Sequence, residues 1–384
     1  MIKALGIGLA ALLLFLLEKR IYQRLWNRNL RVSVVFSKHH IFEGERSQLM
    51  ETIENRKRLP LPMLKVKFQT SRHLLFADAR GSRTTDRFYR NDVFRIGGGE
   101  KITRYLEFTG GRRGYYTIDN VDLVASDLFL TSQLVDHITV KDEIYVYPRP
   151  FDTKEFYLSL QQQSGEILMR RHLLMDPFEY RGIREYQPFD DMKSINWKAT
   201  AKTGELKVNE KNYTSLRFVR VFYNIQDNNI MKKDQCVEAA LQITAGICAF
   251  FLNQGMQVAC YGNGPDVITK APMIIHSCAG NRQMDVIYRA LARVDAQAPA
   301  LDFSGLFEEI LLTRSQGAYT FFVSPNHYED FLDLVEKYQD AGGDYLWFYP
   351  VLGESEPDLV QGHSQAVRQI EKIKRRIRFL HISD

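Results

Sequence analysis

Cysteine is scarce in this chain and is not spaced for pairing. Four residues occur, Cys236, Cys248, Cys260 and Cys278, all in the second half, in apolar runs and with no CxxC. That usage argues against a disulfide framework and predicts buried, reduced thiols in a reducing compartment. Metal-ligand patterns are missing too. The nine histidines include the adjacent His39 and His40 but form no HExxH and no His/Cys cluster at ligand spacing. His172, His276, His327 and His381 read as ordinary surface or loop residues. There is no GxSxG elbow, no GxxxxGK[ST] and no GxGxxG opening a helix. The run Gly97-Gly98-Gly99 lacks a following helix start with Lys-Ser/Thr, so it reads as a hairpin turn rather than a phosphate cradle. Charge of one sign is lacking as well. The 51 Lys and Arg against 46 Asp and Glu leave a net charge of +5, too small to argue for nucleic acid. No internal repeat or low-complexity tract appears.

An uncharged apolar run, Ala4–Leu17, stands at the N-terminus and reaches the lower limit of a spanning helix when the first three residues are added. No small-x-small cleavage site follows it, so it reads as an uncleaved anchor rather than a signal peptide. Lys3 precedes the run; Lys19, Arg20, Arg24, Arg28 and Arg31 follow it. Basic flanks stay in the cytoplasm, which places the bulk of the chain there as a single-pass protein of the cell membrane. Tyr22 and Trp26 are expected at the lipid interface.

The rest divides by periodicity. Arg31–Phe36, Leu64–Thr70, Lys101–Phe108, Gly114–Ala125 and Glu143–Pro148 alternate or are rich in β-branched and aromatic residues, with glycine punctuation between them. They predict an antiparallel β-sandwich over residues 30–150. From residue 216 the pattern becomes strand–helix alternation. Strands are predicted at Leu216–Ile225, Met256–Gly262, Gly317–Ser324 and Asp344–Val351, with helices at Val237–Leu252, Gln283–Val294 and Tyr328–Gln339. Near-continuous apolar strands of this kind imply a mostly parallel sheet covered by helices over 216–355. The chain is therefore read as an anchor with a basic flank (1–29), a sandwich (30–150), a linker segment (151–215), an α/β domain (216–355) and a basic C-terminal helix (356–384). In that helix Val367, Ile370, Ile373 and Ile377 share a face, and Arg368, Lys372, Lys374, Arg375, Arg376 and Arg378 supply charge that could meet anionic lipid headgroups.

Within the linker, the polar, non-periodic block Asp176–Glu210 contains Arg184, Asp190-Asp191 and Trp197. Adjacent carboxylates on an extended backbone point opposite ways, and Arg184 and Lys193 flank them, so ion pairing explains them better than acid–base catalysis. Trp197 brings a large apolar surface that needs either a core or a partner. An interdomain clasp or a docking surface is the expected role, with catalysis a remote third. Asp190 or Asp191 serving an unrecognised hydrolase is the corresponding alternative.

Arg184, Tyr186, Asp190, Asp191, Ile195, Trp197, Lys198, Ala201 and Leu206 match, in order, a signature of the family catalogued as domain of unknown function 58. Arg113-Gly114-Tyr115-Tyr116, Ser126-Asp127-Leu128-Phe129 and Val146-Tyr147-Pro148 resemble the end of that family's β-domain. The resemblance implies a membrane anchor, a sandwich and a C-terminal domain similar to the von Willebrand factor A fold, with a MoxR-type AAA+ ATPase as usual partner. The implied role is a non-catalytic adaptor in bacterial envelope assembly or stress processes, without a cofactor. The chain departs from the family in having one convincing span where two are common, Phe189 where Gly is usual, and Lys193 and Lys202 where Arg is usual. The metal-dependent adhesion site of A domains uses Asp-x-Ser-x-Ser; here Asn224, Gln226 and Asn228 hold those positions, and Ser324-Pro325-Asn326 stands where a liganding Asp is expected. Neutral amides hold a divalent cation far more weakly than carboxylates, so no metal is expected. An active adhesion module using Asp227 with Asn224 and Asn228 is the first alternative.

Overall fold

The computed structural model describes residues 2–78, 80–173, 175–187, 192, 195–213, 218–226, 234–313, 318–326, 329–352 and 376–382. The chain divides into two units, Met1–Arg149 with Tyr288–Arg293 and Pro150–Ile287 with Val294–Asp384.

The first unit opens with helix α1 (Ile2–Leu25). Along its first four turns Leu5, Ile7, Leu9, Leu12, Leu13, Leu14, Leu16 and Leu17 are all exposed. The other end of the helix belongs to a core. Tyr22 and Trp26 are buried among the sandwich side chains, and Tyr22 donates its hydroxyl to the Pro60 carbonyl at 2.9 Å. The expectation that these two rings line a lipid interface is thereby corrected. Two large aromatic bodies gain more from full desolvation in a packed core than from a half-wet boundary.

Ten strands follow: β1 (Leu30–Phe36), β2 (His40–Phe42), β3 (Arg46–Asn55), β4 (Leu61–Ser71), β5 (Leu74–Phe76), β6 (Ser82–Thr84), β7 (Arg87–Ile96), β8 (Lys101–Gly110), β9 (Gly114–Ser126) and β10 (Gln133–Tyr147). They form a sheet of order β1-β3-β8-β5 and another of order β2-β10-β9-β4-β7-β6, with β2 on β10 the single parallel pair. Val34, Leu49 and Leu106 of the first sheet and Val66, Ile118, Val121 and Ile144 of the second belong to one buried cluster, the layout of a sandwich.

Two long strands, β3 and β7, escape a reading by hydropathy. Burial alternates along both, but the inward positions include Glu51 on β3 and Arg90 and Asp92 on β7. Period-two burial without period-two hydrophobicity gives no signal. The two groups on β7 are held by ion pairs, whereas neither Glu51 oxygen has a hydrogen-bond partner. Arg90 Nε lies 2.6 Å from Asp92 Oδ2, Arg104 Nη1 lies 2.8 Å from Asp92 Oδ1, and Arg104 Nη2 lies 3.2 Å from Asp78 Oδ2. Arg90 Nη1 also donates to the Asp78 carbonyl at 2.6 Å. Gly97–Gly99 does turn the chain, but β7 and β8 belong to different sheets. The hairpin reading is therefore corrected to a corner between layers. Gly99 takes φ +76° there, and a Cβ on Gly98 would lie 2.3 Å from the Arg58 carbonyl oxygen.

The second unit begins with α2 (Lys154–Leu173). The block 176–210, without periodicity in sequence, has regular backbone: β11 (Met175–Glu185) pairs antiparallel with β12 (Lys207–Tyr213), and α3 (Trp197–Thr203) stands between them. The irregular register of the pair explains why no period shows. Next come β13 (Phe218–Tyr223), α4 (Asp234–Asn253), β14 (Gln257–Gly262), β15 (Met273–Cys278), α5 (Asn281–Ala292), α6 (Phe303–Thr313), β16 (Tyr319–Val323), α7 (Glu329–Asp340), β17 (Tyr345–Leu352) and β18 (Ile377–Ile382). The sheet order is β15-β14-β13-β16-β17-β18, parallel throughout except for the antiparallel edge strand β15. Phe222, Phe322 and Trp347 cluster with Phe303, Phe307 and Phe331 of α6 and α7. Phe321 meets Phe251 of α4, and Phe348 meets Phe156 of α2. Successive strand residues thus serve opposite helical layers, which is why these strands are apolar without a break.

Among the described helices, α4 is the one long and apolar enough to cross a membrane by length and composition, yet it is mostly buried as the central helix of this unit. Three of the cysteines are buried as expected, but Cys278 is exposed, at an outward position ending the edge strand β15. Ile377–Ile382 corrects the C-terminal helix over those residues. It is a strand paired with β17, and Arg376 just before it reaches Asp344 at 3.8 Å and lies over the Tyr345 ring. The basic positions Arg368, Lys372, Lys374 and Arg375 lie outside the described residues.

Candidate functional site

Parallel α/β sheets present their ligand sites beyond the carboxyl ends of the strands, where the strand order reverses. Here that point falls between β13 and β16, and Asn224 and Ser324 immediately follow those strands. Asn263, just past β14, joins them. Asn224 Oδ1 accepts from Asn263 Nδ2 at 2.7 Å and from the Gln226 backbone N–H at 2.8 Å. Asn263 Oδ1 accepts from Ile225 N–H at 2.9 Å, and its amide also donates to the Leu301 carbonyl at 3.1 Å. Ser324 Oγ accepts from Asn326 N–H, and its carbonyl accepts from Trp347 Nε1, each at 3.0 Å. The Asn224 oxygen that a cation would need is therefore already occupied twice, and the free group is the buried Asn224 Nδ2, a donor. Hydrogen-bonded in this way, the side chains brace three loops. Among the described residues no three His, Cys, Asp or Glu side chains stand close enough to hold a metal. Asp227 and Asn228 lie outside the described residues.

Asn263 carries no motif in the sequence. The available signal was an asparagine directly after the predicted strand Met256–Gly262, whereas Asn224 stood out by its place in the adhesion-site pattern. Nearby, Gly262 has no room for a side chain, because its Cβ would lie 1.9 Å from the Tyr223 ring. In the layer beneath, burial and then the bond with Cys248 hold the Cys260 thiol well above its usual pKa, which makes it inert.

The signature block gives a different surface. Asn196 caps α3, accepting from Ala199 N–H at 3.0 Å, while its amide donates to Asn209 Oδ1 at 2.7 Å. Gly204 ends the helix at φ +74°. Ile195 and Val208 are buried beneath it. Trp197, the first residue of α3, is 66% exposed, and Met192, Ile183 and Leu206 in the same segment are exposed too. Lys198 faces solvent beside Trp197. Arg184 Nη1 donates to the Glu185 carbonyl at 2.9 Å and the Tyr186 N–H to the Leu206 carbonyl at 2.9 Å. Asp190 and Asp191 lie outside the described residues, so the pairing expected with Arg184 has no description here.

No protein-family model matches the chain, and no curated protein matches it. Solved structures are similar over about a third of it. They include a non-cellulosomal cohesin from the archaeon Archaeoglobus fulgidus, at 12% identity and TM-score 0.23, covering 34% of this chain and 97% of that one. A CARDB domain from Pyrococcus furiosus has 15% identity and TM-score 0.20, covering 29% and 91%. The alkylpurine DNA glycosylase AlkC of Pseudomonas fluorescens has 15% identity and TM-score 0.20, covering 31% and 30%.

Proposed function

We propose that this chain is a membrane-tethered, non-catalytic adaptor whose signature block docks a partner protein, with a MoxR-type AAA+ ATPase as that partner. The observation that carries the reading is the exposure of Trp197 at the head of a helix capped at both ends. A tryptophan held rigidly in water, with Met192 in the same segment, is the kind of side chain that anchors interfaces. Although α4 is the described helix that meets the length and composition of a full span, it is mostly buried; the tether is α1, whose exposed run through Leu17 suits hydrocarbon and whose basic flank favours a cytoplasmic body. The α/β unit serves as a von Willebrand factor A-like module, a reading supported by its strand order and antiparallel edge strand. The family resemblance in the signature supplies the ATPase.

Affinity capture of the full chain from detergent extracts, with mass spectrometry in ATP and in ADP, tests the proposal. An AAA+ ATPase should be recovered with the unaltered chain and lost with Trp197→Ala. Its absence in both nucleotides would end the adaptor reading. The metal-dependent alternative is weaker, because both hydrogen bonds to Asn224 Oδ1 would have to break for it to ligate. Titration calorimetry with Mg²⁺ and Mn²⁺ tests it, and micromolar binding abolished by Asp227→Ala would favour it. A hydrolase using Asp190 or Asp191 should show turnover of esters, phosphates or glycosides that Asp191→Asn removes; none is expected.

A further inference from the structure

The β9–β10 connection carries Leu128-Phe129-Leu130, three consecutive large apolar residues that are each more than half exposed. A hairpin tip in water is usually polar, and this tip is held rigidly. Asp127 is fully buried, and its Oδ1 accepts from Thr131 N–H at 2.6 Å and Ser132 N–H at 3.2 Å. Its Oδ2 accepts from the Thr131 hydroxyl at 2.6 Å, and its carbonyl accepts from Leu130 N–H at 3.1 Å. Leu130 adopts φ +60°, a left-handed conformation that disfavours a branched side chain. The fold thus accepts local strain and still places a leucine where glycine would relax.

The position of the tip identifies what covers it. The start of β10 meets the residues just after α1, where Asn27 Nδ2 donates to Asp136 Oδ2 at 3.1 Å. Further up the helix, Glu18 Oε1 accepts from Leu128 N–H at 2.8 Å, and the Phe15 and Phe129 rings stand 5.7 Å apart. The hairpin therefore climbs α1 from its basic flank and stops where charge gives way to the apolar run. Phe15 lies three residues before Glu18, about 4.5 Å along the axis. Apolar residues that enter the boundary between headgroups and acyl chains do so at such shallow depth. Lys19, Arg20, Arg24 and Arg28 follow on the headgroup side.

We propose that Leu128, Phe129 and Leu130 form a second membrane contact of this chain, inserting beside α1 into the headgroup–acyl boundary of an anionic phospholipid bilayer. The inference rests on α1 being the anchor. The loop would add a second point of attachment, which would restrict rotation of the sandwich about the axis of α1.

The test uses the full chain in phosphatidylcholine–phosphatidylglycerol vesicles, with Cys278→Ser removing the exposed thiol. Bimane is attached at Phe129→Cys in one sample and at Leu13→Cys in another. The Phe129 label should shift to the blue and lose emission to nitroxide lipids, more strongly with the nitroxide near the headgroup than at mid-chain. The Leu13 label should be quenched most by the mid-chain nitroxide. A quenched Leu13 label beside a Phe129 label that stays open to aqueous iodide and insensitive to nitroxide lipid would overturn the loop contact and leave the anchor standing. A Leu13 label that no nitroxide lipid quenches would overturn the anchor, and the loop contact with it.

Discussion

In the sandwich, Arg90 and Asp92 are buried within β7, flanked along it by Phe88 and Phe94. In the parallel sheet the interior is filled mostly by side chains such as Val221, Phe322 and Trp347, with Arg220 and Thr320 buried within β13 and β16, and further polar side chains gather past the strand ends at Asn224, Asn263 and Ser324. The difference follows from backbone pairing. A strand covered by helices on both faces has no dry-to-wet alternation to exploit, so polar groups are best accommodated where the strands stop. A two-sheet sandwich can hold a charged cluster between its layers if every member finds an opposite charge, and the cluster then demands one register of β7 against its neighbours. Four variants test that contrast.

The largest effect is expected from Arg90→Met. The Arg90 side chain is 0% exposed and the Asp92 side chain 4% exposed, so removing the guanidinium leaves the buried carboxylate with Arg104 as its remaining ion-pair partner, at about 3–5 kcal/mol. Hydrogen exchange should show β4 and β7 losing protection while β13 and β16 keep theirs. Equal loss in both units would refute a separate sandwich core.

Glu51→Gln comes next and acts through pH. Burial first, and then the Asp92 charge, push the Glu51 carboxyl up to about 8. Neither of its oxygens has a hydrogen-bond partner, although once protonated it can offer a proton towards Asp92. The folded state therefore holds a proton that the unfolded chain releases near the ordinary carboxylate value. Its stabilising contribution is complete below that value and is lost as pH rises through about 8. The Gln variant should flatten the decline and, at alkaline pH, be more stable than the unaltered chain by about 1–3 kcal/mol. Urea melts across that range measure it.

Asn224→Ala probes the other location. It leaves Gln226 N–H without its acceptor and takes one from the Asn263 amide, so a cost of about 1–3 kcal/mol confined to the α/β unit is expected. Trp197→Ala should change stability least, within about 0.5 kcal/mol, because a largely exposed side chain contributes little to folding. A fall of several kcal/mol in its thermal melt would mean that the tryptophan serves the fold and not a partner.

Hydropathy exposed the architecture where core and solvent alternate, or where a strand is buried on both faces. β1, β4, β9 and β13 were legible for those reasons, as were α4 and α7. β3 and β7 were hidden because Glu51, Arg90 and Asp92 stand at inward positions, which breaks the apolar alternation that would otherwise mark a half-buried strand. β18 read as a helix because isoleucines spaced for one helical face continued into Ile377, whereas its neighbour β17 decides in favour of a strand. At the sheet crown, Asn224 and Ser324 were legible through the adhesion-site positions that the family resemblance implies. The bond from Asn263 to Asn224 depends on β14 lying beside β13, which no local pattern states.

Tyr22 and Trp26 turn the end of α1 into sandwich interior. No slack chain separates the helix from the folded body, so a tilt or pull on one is felt by the other as through a lever welded to a plate. Trimming the protein at residue 29 to obtain a soluble piece would remove two aromatic plugs and open a hole beneath Pro60. A cut before Tyr22 would leave that interior whole.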